Sequence, residues 1–98
     1  MKGIVWYKIK SFGKVKFEEI ISYYRILKIE INKFQVRDDE ARVYFKNGDI
    51  WYLIKAETGR CLGRCNVSYI DENIDLEYIE AVIKPCTSLL PYTAYNYY

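Results

Sequence analysis

Hydrophobic and polar residues change their spacing three times in the first third of the chain, and each change marks a predicted element. Residues 4–9 are β-branched or aromatic and predict a short strand, which the run Ser11–Lys14 then breaks. A helix follows, because apolar residues recur at i, i+3, i+4 and i+7, in Phe17, Ile20, Ile21 and Tyr24. From residue 27 the period becomes two, in Leu27, Ile29 and Ile31, which predicts a half-buried strand. Asn32-Lys33 then reads as a tight turn into a further strand carrying Phe34 and Val36.

The middle of the chain predicts a β-hairpin around Asn47-Gly48. Two apolar runs flank this dipeptide, and Asn and Gly both tolerate the positive φ that a two-residue type I′ turn requires. With that turn, Tyr44 is expected opposite Trp51, and Phe45 opposite Ile50.

The last third predicts a strand over residues 66–70 and then an amphipathic helix. Asn73 or Asp75 is expected to cap this helix, and Pro85 to lie just past its end. Its apolar stripe is Leu76, Ile79, Val82 and Ile83. Residues 86–98 form a tyrosine-rich tail without periodicity. The order β-α-β-β-β-β-β-α predicts an α+β fold, with an antiparallel sheet of four to six strands packed against two helices.

Length and charge limit the possible functions. The 98 residues form one predicted domain, and the net charge of +2 is too small for the field of the whole molecule to drive nucleic-acid binding. The charges are nevertheless segregated. Five lysines lie together without an acid between residues 2 and 16, and five acids lie together without a base between residues 71 and 80. These runs are either solvated faces or partner surfaces.

The cysteines and the hydropathy indicate a cytoplasmic protein with reduced thiols. Three cysteines cannot pair completely, residues 1–7 do not read as a signal peptide, and no apolar run approaches the roughly 20 residues of a membrane span.

Composition also argues against common catalytic and metal sites. The chain contains no histidine, which removes the commonest general base. Cys61, Cys65 and Cys86 supply three soft ligands where structural zinc sites use four, so free thiols are expected unless a second subunit completes a site. We therefore predict no catalytic residues, metal or cofactor.

Several motifs between residues 43 and 85 resemble an ATPase family. They are Phe45-Lys-Asn-Gly-Asp49, Gly63-Arg64, Val67-Ser-Tyr-Ile-Asp-Glu72 and a helix to Pro85. In this order they are similar to the central part of the phage terminase large subunit and of helicase-like phage proteins. The resemblance implies a small protein encoded by a phage or prophage.

In the full-size family, the residues that match Asp71 and Glu72 handle magnesium and the attacking water. That role also needs a glycine-rich loop with a lysine and a hydroxyl residue to cradle the phosphates, and this sequence contains none. The resemblance therefore implies the scaffold of an ATPase without its activity, and we predict a protein that is not an enzyme.

The leading hypothesis is an inhibitor of a bacterial defence system, similar to an anti-CRISPR protein. It would bind a host defence protein or nuclease and occlude a basic groove that normally holds nucleic acid. The expected contacts are the acidic residues and the tail tyrosines, since tyrosine offers large contact area at low entropic cost. The predicted partner-binding residues are Asp71, Glu72, Asp75, Glu77, Glu80, Tyr95, Tyr97 and Tyr98.

Two alternatives remain. A nucleic-acid-binding or DNA-packaging module would grip phosphates with basic side chains and stack bases on sheet aromatics. Its predicted residues are Lys55, Arg60, Arg64, Tyr44 and Trp51. The other alternative is a structural phage protein that forms a homodimer through an aromatic face.

Overall fold

A computed structural model describes residues 1–57 and 63–98 and has an α+β fold built on a six-stranded sheet. The strands are β1 (Lys2–Tyr7), β2 (Ile31–Val36), β3 (Glu40–Phe45), β4 (Ile50–Lys55), β5 (Val67–Ile70) and β6 (Ala94–Tyr97). Helix α1 (Lys10–Ile26) follows β1. A C-terminal helix (76–86) consists of α2 (Leu76–Tyr78), a π-helical turn (Ile79–Ile83) and α3 (Lys84–Cys86).

The sheet is mixed, which corrects the antiparallel sheet expected from the sequence. Its order is β2-β3-β4-β1-β5-β6. Only β2-β3-β4 form an antiparallel meander, whereas β1 lies parallel to both β4 and β5, and β5 lies parallel to β6. Parallel neighbours need long crossover connections, and α1 and the C-terminal helix lie within two of these connections.

Helix α1 covers one face of the sheet, here called the α1 face. The predicted stripe is confirmed, because Phe17, Ile20, Ile21 and Tyr24 are all buried in one cluster with alternate residues of β1, β3 and β4. The helix begins at Lys10 and includes the run predicted to break the pattern. Gly13 permits the close approach, since a Cβ atom there would lie 2.6 Å from the Cβ atom of Tyr7.

The C-terminal helix covers part of the opposite face, over a second core that includes Ile4, Trp6 and Ile70. Ile79 and Ile83 are buried there, but Leu76 and Val82 are exposed, so half of the predicted stripe is wrong. The π-helical turn explains the difference, because its i→i+5 bonds alter the spacing on which the stripe was based.

The ends of the C-terminal helix also differ from expectation. Pro85 lies inside the helix, in α3, just after the π-helical turn. Proline has no backbone N–H to donate to the preceding turn. Asp75 occupies the N-cap position without a capping bond from its side chain, and Asn73 donates to Asp71 instead.

The hairpin forms as predicted but in a different register. The N–H of Phe45 donates to the carbonyl oxygen of Asp49, which leaves a three-residue loop of residues 46–48 with Gly48 at φ +95°. The longer loop moves the pairing by one residue, so that Val43 lies opposite Trp51, and Tyr44 opposite Ile50. Tyr44 and Trp51 therefore point to opposite faces.

The two remaining differences concern β2 and the tail. Residue 27 ends α1, and the predicted strands on either side of Asn32-Lys33 are a single strand, β2, with an irregular register between Ile31 and Lys33. Within the tail, residues 94–97 form β6, a strand that the sequence analysis missed.

Candidate functional site

The predicted acidic residues separate into one buried side chain and an exposed group. Glu72, Asp75, Glu77 and Glu80 are exposed on and just before the C-terminal helix. Asp71 is fully buried. The prediction that Asp71 belongs to an exposed acidic surface is therefore corrected.

Asp71 joins the end of β5 to the start of α1. One carboxylate oxygen accepts the backbone N–H groups of Lys8 (2.8 Å) and Ile9 (3.0 Å). The other accepts the backbone N–H (2.9 Å) and the side-chain amide (2.8 Å) of Asn73. Burial alone would raise the pKa of Asp71, but these donors from Ile9, Asn73 and Lys8 outweigh burial and lower it. The side chain is thus a structural anchor between β1, α1 and β5.

The exposed acids meet two of the tail tyrosines on the face opposite α1. Lys84 links them: its ammonium lies 2.6 Å from the carboxylate of Glu80 and 6.0 Å from the ring centroid of Tyr95. The hydroxyl of Tyr95 donates to the carbonyl oxygen of Lys84 at 3.3 Å. Tyr97 is two residues farther along β6, so its side chain projects from the same face, and it is 56% exposed.

We call Glu77, Glu80, Tyr95 and Tyr97 the acidic–aromatic surface. Leu76 (68%) and Val82 (36%) also remain exposed on the same helix. Carboxylates at the edge of exposed aromatic and aliphatic side chains are suited to contact with a positively charged partner.

Tyr98 does not belong to this surface. Its hydroxyl donates to the carbonyl oxygen of Trp6 at 2.8 Å, and its ring packs against the core on the α1 face, 5.8 Å from the ammonium of Lys16. Burial is the main cause that raises the pKa of Tyr98, with the charge of Asp71 adding to it. Tyr98 therefore stabilises the fold and is separated from the other two tail tyrosines.

A second surface lies on the same side of the sheet, where β3 and β4 extend beyond the C-terminal helix. Tyr52 is at its centre: the guanidinium of Arg42 lies 5.5 Å from its ring centroid and the ammonium of Lys2 lies 5.2 Å from it. Tyr44 lies two residues from Arg42 along β3, on the same face, and is close enough to Tyr52 to affect its ionisation. The pKa of Tyr52 is raised, chiefly by burial and then by Tyr44, although Arg42 opposes the shift. We call Lys2, Arg42, Tyr44 and Tyr52 the basic–aromatic surface.

The residues predicted for nucleic-acid binding are only partly brought together. Trp51 is buried on the α1 face and donates its indole N–H to the hydroxyl of Tyr24 at 2.9 Å, so it cannot stack on a base. Lys55 lies opposite Tyr7, at the end of β1. The exposed Arg64 lies near the start of β1, because the backbone N–H of Asn66, two residues later, donates to the carbonyl oxygen of Lys2.

These two residues therefore lie near opposite ends of β1, a strand about 17 Å long at about 3.3 Å per residue. Arg60 and Cys61 lie outside the described residues. Of the predicted nucleic-acid residues that the structure describes, Tyr44 belongs to the basic–aromatic surface, whereas Trp51 and Lys55 lie outside it.

Sequence reasoning missed Lys2, Arg42 and Tyr52 because it placed the hairpin in the wrong register. The signal was present in the alternation of Arg42 and Tyr44 with the buried Ala41, Val43 and Phe45. A three-residue loop pairs Arg42 directly with Tyr52, which a two-residue loop does not.

Two features are absent from the described residues. These residues contain no group of three or more histidine, cysteine, aspartate or glutamate side chains placed to hold a metal ion. None of the helices in residues 1–57 and 63–98 is long and apolar enough to cross a membrane.

Comparison with other proteins gives no relative. Neither a protein-family model, nor a curated protein, nor a solved structure matches the chain. The resemblance to the phage terminase large subunit therefore stays a prediction.

Proposed function

We propose that the protein is a non-enzymatic, phage-derived inhibitor that binds a nuclease of a bacterial defence system through the acidic–aromatic surface. The observation that carries the proposal is the junction of the C-terminal helix with β6. There Glu80, Lys84 and Tyr95 are in contact, and Tyr97 is exposed beside them. The partner surface is the basic groove in which such a nuclease holds its nucleic acid.

Charge and shape both support this choice of partner. Four exposed acids on or next to one helix are balanced there by a single lysine, Lys84. Glu80 and Lys84 are exposed, so their ion pair contributes little to folding and leaves the surface free to meet an external cation. Tyrosines at a surface rimmed by charge are typical of residues that dominate binding energy.

Asp71 supports the non-enzymatic part of the proposal. Its carboxylate already accepts four hydrogen bonds from the protein, so the aspartate matching the family's ion-binding residue is occupied with holding β5 to α1. Withdrawing it to serve an ion would break those bonds, each of which contributes about 1 to 3 kcal/mol.

The test is restoration of phage growth. The chain is expressed in a bacterium whose nuclease-based defence restricts a phage, and plaques are counted. In parallel, a gel shift measures whether the purified chain prevents the nuclease–guide complex from binding DNA. We expect the wild type to restore plaques, and Glu77→Lys with Glu80→Lys to weaken binding to the nuclease at least tenfold.

The matched control reverses two exposed acids elsewhere, Glu18→Lys with Asp38→Lys, and so changes the net charge equally. It should inhibit as well as the wild type. Equal inhibition by both double variants, or no restoration of plaques by the wild type against a panel of defence nucleases, would contradict the proposal.

A second candidate function, nucleic-acid binding, is favoured by the basic–aromatic surface. Two cations lie over one tyrosine ring with a second tyrosine beside it, an arrangement suited to phosphate contacts and base stacking. The backbone just before Arg64 also approaches this surface, because a Cβ atom added at Gly63 would lie 3.6 Å from the ammonium of Lys2.

A gel shift with single-stranded and double-stranded DNA and RNA at several salt concentrations separates the two functions. If the second function is correct, Lys2→Glu with Arg42→Glu should abolish the shift, while Lys14→Glu with Lys28→Glu reduces it only slightly. The affinity should also fall steeply as salt rises, since phosphate contacts release counterions. No binding by the wild type at low salt would eliminate this candidate.

A further inference from the structure

Cys65 and Cys86 are neighbours although 20 residues separate them along the chain. Cys65 lies two residues before the start of β5, and Cys86 is the last residue of α3. The backbone N–H of Cys65 donates to the carbonyl oxygen of Cys86 at 2.8 Å. A single bond of this length holds the two Cα atoms at most about 6.7 Å apart, because each Cα atom lies only one or two covalent bonds from the donor or acceptor atom. A disulfide accepts Cα separations of about 4.4 to 6.8 Å, so the backbone is already placed for one.

The two thiols also influence each other. The Cys86 side chain is the main cause that lowers the pKa of Cys65, to about 6. Burial opposes the shift, but Ser68, Thr87 and the charge of Lys2 support it. The lowered pKa favours the thiolate of Cys65, which is the form that attacks another sulfur.

Access to the pair is asymmetric. Cys65 is fully buried, and its sulfur lies 3.5 Å from the hydroxyl of Ser68 and 3.8 Å from that of Thr87. Cys86 is partly exposed, and its thiol donates to the carbonyl oxygen of Gly63 at 2.8 Å. A small oxidant arriving from solvent thus meets Cys86 first, with Cys65 behind it.

We propose that Cys65 and Cys86 form a reversible intramolecular disulfide when the protein reacts with a hydroperoxide. In the first step the Cys86 sulfur attacks the peroxide, an S–O bond forms, the O–O bond breaks, and water leaves. In the second step the Cys65 thiolate attacks the Cys86 sulfenic sulfur, and the S–O bond breaks as the S–S bond forms. The hydroxide released takes the proton that the Cys65 thiol lost. Overall, two thiols lose two electrons and two protons, and hydrogen peroxide becomes two waters.

Oxidation has two structural consequences. The new bond ties the start of β5 to the end of the C-terminal helix and closes the loop of residues 66–85. It also removes the thiol donor from the Gly63 carbonyl, and so alters the segment that carries Arg64.

The test uses the full chain with Cys61→Ser, so that only the two neighbouring thiols remain. Treatment with one equivalent of hydrogen peroxide should consume both thiols and lower the intact mass by two hydrogens. It should also raise Tm by roughly 10 °C, because the closed loop restricts the unfolded chain. Dithiothreitol should reverse all three changes.

Two variants distinguish the roles of the cysteines. Cys65→Ser should stop at the sulfenic acid on Cys86, which dimedone traps, while Cys86→Ser should react with peroxide far more slowly than the parent. A measurement that does not depend on oxidation is titration with phenylarsine oxide, which bridges neighbouring thiols and should bind the folded Cys61→Ser chain one to one.

Three outcomes would overturn the proposal. One is that both thiols persist in peroxide. Another is that oxidation proceeds to sulfinic acid without a crosslink. The third is that peptide mapping of the chain with Cys61 retained finds Cys61 in the disulfide. A Tm unchanged by confirmed Cys65–Cys86 crosslinking would overturn the structural consequence stated above.

Discussion

Asp71 and Glu72 are adjacent in sequence but differ in burial and in role. Asp71 is fully buried and accepts hydrogen bonds from three residues, whereas Glu72 is exposed. Strand β5 ends at Ile70, and the two residues that follow it point in opposite directions, Asp71 towards the interior and Glu72 towards solvent. The sequence motif alone does not reveal this division, because both residues are equally acidic.

Asp71→Asn should destabilise the protein by about 2 to 4 kcal/mol. One carboxylate oxygen becomes an amide N–H₂ group, which faces N–H donors in a buried position and leaves them unpaired. Urea unfolding measures the loss, and Glu72→Gln, at the exposed neighbour, should change stability by less than about 0.5 kcal/mol. Equal effects at the two positions would refute the anchoring role of Asp71.

The carboxylate of Asp71 should also make the stability of the protein depend on pH. Its pKa is lower in the folded than in the unfolded chain, where it is near 3.8, so it stabilises the folded state at neutral pH. This contribution is complete above about pH 5 and declines as the pH falls through 3.8 towards the folded pKa. Wild type should therefore lose stability over this range more steeply than Asp71→Asn, which can be followed by urea midpoints at each pH.

Replacing Gly13 by alanine should destabilise the protein, although the same replacement usually stabilises a helix. Replacing an interior helical glycine by alanine usually stabilises a helix by about 1 kcal/mol. Here the new Cβ would lie 2.6 Å from Tyr7 Cβ and 2.8 Å from its ring, in a buried contact between α1 and β1. We expect Gly13→Ala to destabilise by roughly 1 to 3 kcal/mol in urea unfolding, while Ser11→Ala, exposed on the same helix, should be neutral or stabilising.

At the scale of elements, the hairpin controls which side chains reach each face. Its existence followed from Asn47-Gly48, but its register depended on whether the loop holds two residues or three. That single residue moved Trp51 into the core and placed Arg42 opposite Tyr52. Loop length is decided by pairing energies along both strands, which the dipeptide does not contain.

Gly48→Ala tests the loop geometry. Gly48 has φ +95° with nothing within 4 Å of an added Cβ, so the cost is backbone strain without a clash. We expect a loss of about 1 kcal/mol in chemical unfolding, with Lys46→Ala in the same loop close to neutral. A neutral Gly48→Ala would mean that the loop does not use a left-handed residue.

Elements whose residues show a period of their own could be predicted from the sequence. Elements that depend on contacts with distant parts of the chain could not. The α1 stripe was predicted because Phe17, Ile20, Ile21 and Tyr24 carry a complete helical period. Strand β6 was not, since residues 94–97 have no alternation and are ordered by pairing with β5. The π-helical turn likewise depends on how Ile79 and Ile83 pack against the second core.

At the scale of the whole molecule, the face opposite α1 carries two surfaces of opposite sign. The acidic–aromatic surface lies on the C-terminal helix and β6, and the basic–aromatic surface lies on the start of β1, β3 and β4. The charges nearly cancel in the sum of +2, which concealed this arrangement at the level of composition. Residues from distant parts of the chain form each surface, so the topology had to be known first.

Strand β1 joins the two halves of the sheet. Its neighbours, β4 and β5, are both made later in the chain, and each pairs with it and not with the other. Without β1 the sheet would fall into a three-stranded meander and a separate two-stranded piece, each with a bare edge. A chain beginning at residue 10 should therefore be unfolded and prone to aggregate, and a synthetic peptide of residues 1–9 should restore its structure by inserting between the halves.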